Sequence, residues 1–101
     1  GAVREVAVEV TSASYDAGTE TLDVALTNTG ERPLSVRDVD VVADGEYVPP
    51  SAFETVTVDG ADTDRWLPGQ QLRLVDTNRT TAPGRVKVVV GPGISVVEEV
   101  A

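Results

Sequence analysis

The stretch Thr21-Leu22-Asp23-Val24-Ala25-Leu26-Thr27-Asn28-Thr29-Gly30 decides the fold. Leu22, Val24 and Leu26 recur at every second residue, with Thr21, Asp23, Ala25 and Thr27 between them. Side chains of an extended chain point alternately to opposite sides, so this spacing predicts a strand with one buried face and one wet face. Asn28-Thr29-Gly30, with Pro33 close behind, then supplies the turn chemistry that stops it. Working outward, the same period appears in Val6, Val8 and Val10, in Val56 and Val58, in Leu72 and Leu74, and in Val86, Val88 and Val90. The tail from Ile94 to Val97 adds a last strand. Leu34 and Val36 open a further run that Val39 and Val41 continue in the opposite phase. The slip at Arg37-Asp38 predicts a bulge or bend that hands the chain to a second sheet.

Turn signals separate these runs. They are Asp16-Ala17-Gly18, Asp44-Gly45, Asp59-Gly60, Pro68-Gly69, Pro83-Gly84 and Gly91-Pro92-Gly93. Asp44-Gly45 has the composition of a two-residue hairpin, and Pro49-Pro50 bars Val48 onward from a central strand. About a fifth of the residues are valine, the β-branched composition of sheets. The pattern predicts an all-β fold, an immunoglobulin-like antiparallel sandwich of about seven or eight strands. Residues 1–101 read as a single β-sandwich domain, with no internal repeat.

Composition narrows the function. Seventeen acidic residues stand against eight basic ones, of which only Lys87 is a lysine, and the formal charge is −9. Such a surface is soluble but self-repelling, and concentrated salt relieves the repulsion. It carries no basic patch for nucleic acid and is repelled by phosphate and by anionic membrane surfaces. His and Cys are both absent, which removes the usual general bases, nucleophiles and zinc ligands. No P-loop or dinucleotide-binding glycine pattern is present. The reading is a non-enzymatic domain without a cofactor. No apolar run approaches the roughly 18–20 residues of a membrane span.

Four groups of residues carry the remaining chemistry. Asp59, Asp62 and Asp64 share one glycine-containing loop, where hard oxygen donors suit calcium, although the spacing departs from an EF-hand and Arg65 adjoins it. The plainer reading is a solvated acidic loop, and Asp38 and Asp40 read the same way along their strand. Of the four aromatics, Phe53 reads as core and Tyr15 joins the valines. Tyr47, Val48 and Trp66 are candidates for a protein-binding patch, with Trp66 equally suited to plug one end of the sandwich. Exposed strand edges offer a partner strand its hydrogen bonds. Asn78-Arg79-Thr80 is an N-glycosylation acceptor sequence in the polar stretch between two strands.

Three segments taken together carry a resemblance: Ala13 to Gly30, Val41 to Val48, and Asp62 to Gly69 with Arg85 to Gly91. The Trp66-Leu67-Pro68-Gly69 turn and the Arg85-Val86-Lys87-Val88 strand, added to Asn28-Thr29-Gly30, resemble the haloarchaeal archaellum proteins F and G. These are the small stator components of the archaeal swimming motor. The resemblance implies a membrane helix ahead of a β-sandwich lying between the cell membrane and the surface layer. It further implies a structural role that links the motor to the surface layer. The implied partners are a surface-layer protein, the companion F or G protein, or further copies of the same chain. The alternative is a generic extracellular adhesion or carbohydrate-binding immunoglobulin-like module of a haloarchaeon. The charge argument makes its own prediction: the melting temperature rises with potassium chloride, and a melting curve that falls with salt refutes it.

Overall fold

The computed structural model describes residues 5–91 and 93–101, so Pro92 of the last predicted turn lies outside it. The described strands are β1 (Val8–Asp16), β2 (Thr21–Asn28), β3 (Leu34–Ser35), β4 (Val39–Ala43) and β5 (Glu46–Val48), followed by β6 (Thr55–Val58), β7 (Arg65–Trp66), β8 (Gln71–Asp76), β9 (Arg85–Val90) and β10 (Ile94–Glu99). Eight of them form two four-stranded antiparallel sheets, ordered β1-β2-β8-β6 and β10-β9-β4-β5. This is the order in which an immunoglobulin sandwich lays its strands, with β5 widening the second sheet. The chain crosses between sheets from β2 to β4, from β5 to β6 and from β8 to β9. Each sheet therefore draws on segments far apart in sequence.

The inward faces follow the predicted period. Leu22, Val24 and Leu26 of β2 and Leu72 and Leu74 of β8 join Val39, Val41, Val86, Val88 and Val90 in one buried cluster. Each such side chain contributes about 1.5–3 kcal/mol on leaving water. In β1 the phase changes at a bulge between Val10 and Ser12. Val8 therefore faces inward before it, and Ala13 and Tyr15 face inward after it. Asp44 and Gly45 both have positive φ, 47° and 82°, the backbone of a two-residue hairpin turn. Asp59 and Gly60 repeat it at 48° and 82°.

Of the two alternatives for the phase slip at Arg37-Asp38, the structure has the bend: a 3₁₀ turn, Val36–Asp38, leads the chain into β4 of the second sheet. Before that turn Leu34 and Ser35 pair with Trp66 and Arg65, making a two-stranded ribbon apart from the main sheets. Two residues are too short a run to show any period, which is why β7 escapes the sequence pattern and β3 reads only as the start of a longer run.

At this end of the sandwich Trp66 is fully buried. Its indole Nε1–H donates to the Gln70 carbonyl at 2.7 Å, and its own carbonyl accepts from Asn28 Nδ2 at 3.1 Å. Asn28 Nδ2 also donates to the Arg32 carbonyl at 2.9 Å, while its Oδ1 accepts from Gly30 N–H at 3.0 Å. Segment 5–7 then lies directly on the turn, with Thr29 and Gly30 donating to Ala7 and with Glu31 and Arg32 donating to Glu5. A Cβ on Gly30 would stand 2.7 Å from both Ala7 N and Glu5 O. Those are backbone atoms and cannot step aside.

Trp66→Ala should accordingly cost about 3–5 kcal/mol, measured by denaturant titration. Gly30→Ala should cost on the order of 1–3 kcal/mol through overpacking. Gly18→Ala serves as the control, because its Cβ meets only the Asp16 carboxylate, at 3.2 Å. Equal midpoints for the two glycine variants would show that segment 5–7 is not clamped on the turn.

Candidate protein-contact face

The two outward faces of the sandwich differ in chemistry. On the β1-β2-β8-β6 sheet the outward positions include Ser12, Ser14, Asp23, Thr27, Gln71, Arg73, Thr55 and Thr57. Arg73 and Asp23 join there by two hydrogen bonds, Nε to Oδ1 at 3.2 Å and Nη2 to Oδ2 at 2.6 Å. The carboxylate beside it raises the pKa of Arg73 above its ordinary value. Apart from Val75 and the buried Ala25, this face is polar, and its main charges are paired with each other.

The outward face of β10-β9-β4-β5 is apolar along one row. Cross-strand register places Val97 opposite Lys87, Lys87 opposite Val42, and Val42 opposite Tyr47. Val89 lies beside this row, between Ser95 and Asp40. With strands about 4.8 Å apart, the row spans roughly 14 Å. Tyr47 and Val97 at its ends are the large apolar side chains most open to water, 56% and 55% exposed. Single exposed valines are ordinary, but aromatic and aliphatic groups aligned on a flat sheet match the composition of contact surfaces. Tyr47 Oη donates to Asp40 Oδ1 at 3.1 Å, which holds the ring against the sheet and raises the phenol pKa.

This arrangement separates the predicted patch of Tyr47, Val48 and Trp66. Val48 and Trp66 are buried and only Tyr47 reaches solvent, which corrects that reading. The physical reason was visible in the order of residues: neighbours in a strand point to opposite faces, so Tyr47 and Val48 cannot share one. Phe53 is core, as expected, and Tyr15 is partly buried with its hydroxyl on the Arg79 carbonyl at 2.6 Å.

Asp59, Asp62 and Asp64 are likewise apart in their commitments. Asp59 Oδ1 accepts from Gln71 N–H at 2.9 Å and locks its hairpin turn. Asp64 Oδ1 accepts from Arg37 N–H at 2.9 Å, and its Oδ2 lies 3.4 Å from Arg37 Nε. Asp62 stands exposed beside Val36 and Val56. No three metal-ligating side chains converge among the described residues. Asn78 is exposed in the loop between β8 and β9.

Several acids that read as solvation prove to be loop ties. Asp44 accepts from Gly84 and Arg85 N–H, and Glu54 accepts from Thr77 N–H and Asn78 Nδ2. These backbone donors hold the Asp44, Glu54 and Asp64 carboxyls below their ordinary pKa values. Three separate loops are tied in this way, and a period-two pattern carries no signal for such contacts.

The chain matches no family model, and no curated protein matches its sequence. Its fold is similar to that of the archaellum periplasmic stator protein FlaG from Sulfolobus acidocaldarius, with a TM-score of 0.62 at 16% identity over 92% of this chain and 97% of that one. It is also similar to a chain in the archaellum periplasmic stator complex of FlaF and FlaG from the same organism. There the TM-score is 0.60 at 17% identity, over 97% of this chain and 90% of that one. At these identities the likeness establishes a common β-sandwich fold.

The loop ties give a pH prediction. A carboxyl held below its ordinary pKa stabilises the fold fully above that value, and the contribution fades as pH falls through the lowered one. Glu54→Gln should therefore lower the melting temperature at pH 7. Its gap from the unaltered protein should close as pH drops below Glu54's ordinary 4.5. A gap that stays constant with pH would remove the ionised carboxylate from the account.

Proposed function

We propose that this chain is a non-enzymatic structural domain of an archaellum motor stator, working through protein contacts outside the cytoplasmic membrane. The observation that carries the reading is the end-to-end fold likeness to archaellum stator proteins, combined with one apolar outward face on an otherwise acidic surface. In this reading the whole chain is a single sandwich domain, held to the membrane by a helix that precedes it. Its partners are the companion F- or G-type protein, a surface-layer protein, or further copies of the chain, so that the sandwich links the motor to the surface layer in a halophilic cell. A stator must resist torque, and cross-strand hydrogen bonding through two packed sheets makes a stiff body that needs no reacting group.

The row Val97, Lys87, Val42 and Tyr47 is the face assigned to the partner. Its valines and tyrosine supply apolar area, and Lys87 offers a cation where the rest of the molecule is acidic, which fixes orientation more than it adds affinity. Val97→Glu and Tyr47→Ala in the full-length protein should each weaken capture of the companion stator protein. A central contact residue contributes about 2 kcal/mol, roughly thirty-fold in affinity. Thr57→Lys on the polar face is the control. If it weakens capture while Val97→Glu and Tyr47→Ala leave it unchanged, the contact face is the wrong one. Capture of no archaellum or surface-layer protein in molar salt would sink the stator reading itself.

A further inference from the structure

The loop between β8 and β9 turns its three central side chains in alternate directions. Asn78 and Thr80 are exposed, whereas Arg79 between them folds inward with its side chain only 13% exposed. Burying a guanidinium is unfavourable unless it is held, and here the backbone on either side of it is fixed while the guanidinium itself has one ion pair. Arg79 N–H donates to the Glu20 carbonyl at 3.0 Å, its carbonyl accepts from Tyr15 Oη at 2.6 Å, and its Nη1 lies 3.6 Å from Glu46. Its Nε is buried without a partner. Asp76 caps the turn by accepting from Asn78 N–H at 2.9 Å. The outcome of this anchoring is that the amide and the hydroxyl two residues later stand together on the outer side of a fixed loop.

We infer that Asn78 is an N-glycosylation site, with its first sugar seated over the adjoining polar depression. This rests on the extracytoplasmic placement proposed above, because the modification needs a lipid-phosphate-linked oligosaccharide and its transferase. In the transfer the amide nitrogen bonds to C1 of the reducing-end sugar. The C1–oxygen bond to the lipid phosphate breaks, its electron pair leaves on the phosphate, and one of the two amide protons passes to a base of the transferase. Asn78 Nδ2 donates to Glu54 Oε1 at 2.6 Å. The modified amide keeps one N–H for that bond, while the sugar replaces the other and extends over the depression beside the loop. Beside the amide lies a cavity of about 220 Å³ bordered by Glu46, Asp76, Asn78, Arg79, Thr80 and Thr81. That volume is the size of a hexose ring, and carboxylates and hydroxyls suit sugar hydroxyl groups. Thr80 makes no side-chain hydrogen bond among the described residues, so its hydroxyl is free for the transferase to read.

The test uses full-length protein from its own cells. Trypsin cutting at Arg73 and Arg79 releases the peptide Leu74–Arg79, whose mass reports Asn78. The peptide should carry a hexose-series mass increment in the unaltered protein and in Thr80→Ser. Asn78→Gln and Thr80→Ala should lose it, with Thr80→Ala keeping the melting temperature of the unmodified fold. Protease treatment of intact cells, run in parallel, tells two failures apart. Protein digested from outside yet unmodified at Asn78 overturns the glycan assignment alone, while protein protected inside the cell overturns the placement and the assignment with it. Retention of the increment in Thr80→Ala would also overturn the assignment.

Discussion

Burial of Trp66 at one end of the sandwich is the constraint around which the rest is arranged. An indole cannot be buried without a partner for its N–H, and the Gln70 carbonyl supplies it. Gln70 in turn uses its side-chain oxygen to accept from Leu67 N–H, which closes the Pro68-Gly69 turn around the ring. Asn28 completes the arrangement, bridging Trp66 and Arg32 with one amide and bonding Gly30 with its oxygen. One buried side chain thus joins the end of β2, the start of β8 and the ribbon of β3 and β7. Gly30 carries no side chain because segment 5–7 occupies the space that one would need. The Asn28-Thr29-Gly30 motif is therefore a packing device, with the asparagine satisfying buried backbone and the glycine admitting the segment 5–7 that precedes β1.

Electrostatics act locally on a background of repulsion. Among the described residues the four ion pairs all involve arginine, and in three of them, Arg32–Glu5, Arg37–Asp64 and Arg73–Asp23, the arginine side chain is more than half exposed. Exposed pairs contribute little, typically well under about 1 kcal/mol each. More structure follows from carboxylates that accept backbone N–H groups, because those bonds fix loop geometry in addition to neutralising charge. Asp44 joins the β4–β5 turn to the start of β9, Glu54 joins the approach to β6 to the end of β8, and Asp64 joins β7 to the turn before β4. An acidic composition that first read as solvation is thus partly architecture.

The strand edges are treated unequally. Ala101 bonds to Ala13 and Tyr15, so the C-terminal residues cover part of the outer edge of β1. β5 is three residues long and stops at Pro49-Pro50, which removes a donor where a further strand would pair. With these two of the four edge strands blunted, side-chain contact through a sheet face is one mode of association left open, beside pairing at β6 or β10. The face best suited to it is the one whose outward row carries Tyr47, Val42 and Val97 in place of threonines and paired charges.

How much of this was legible in the sequence depends on length and period. Strands β2, β8 and β9 alternate over six or more residues, and their inward sets Leu22-Val24-Leu26, Leu72-Leu74 and Val86-Val88-Val90 were readable directly. The hairpin at Asp44-Gly45 was readable because few residues accept positive φ. Local chemistry thus determined the class of fold, its turns and the composition of its core. Which apolar residues stay uncovered was decided only by tertiary structure. Val41-Val42 and Val96-Val97 are apolar on both faces, so alternation there cannot say which side meets the other sheet. The choice comes from packing: Leu22, Val24 and Leu26 cover one face, and the chain lays two distant hairpins, β4–β5 and β9–β10, side by side, leaving Val97, Lys87, Val42 and Tyr47 aligned on the other.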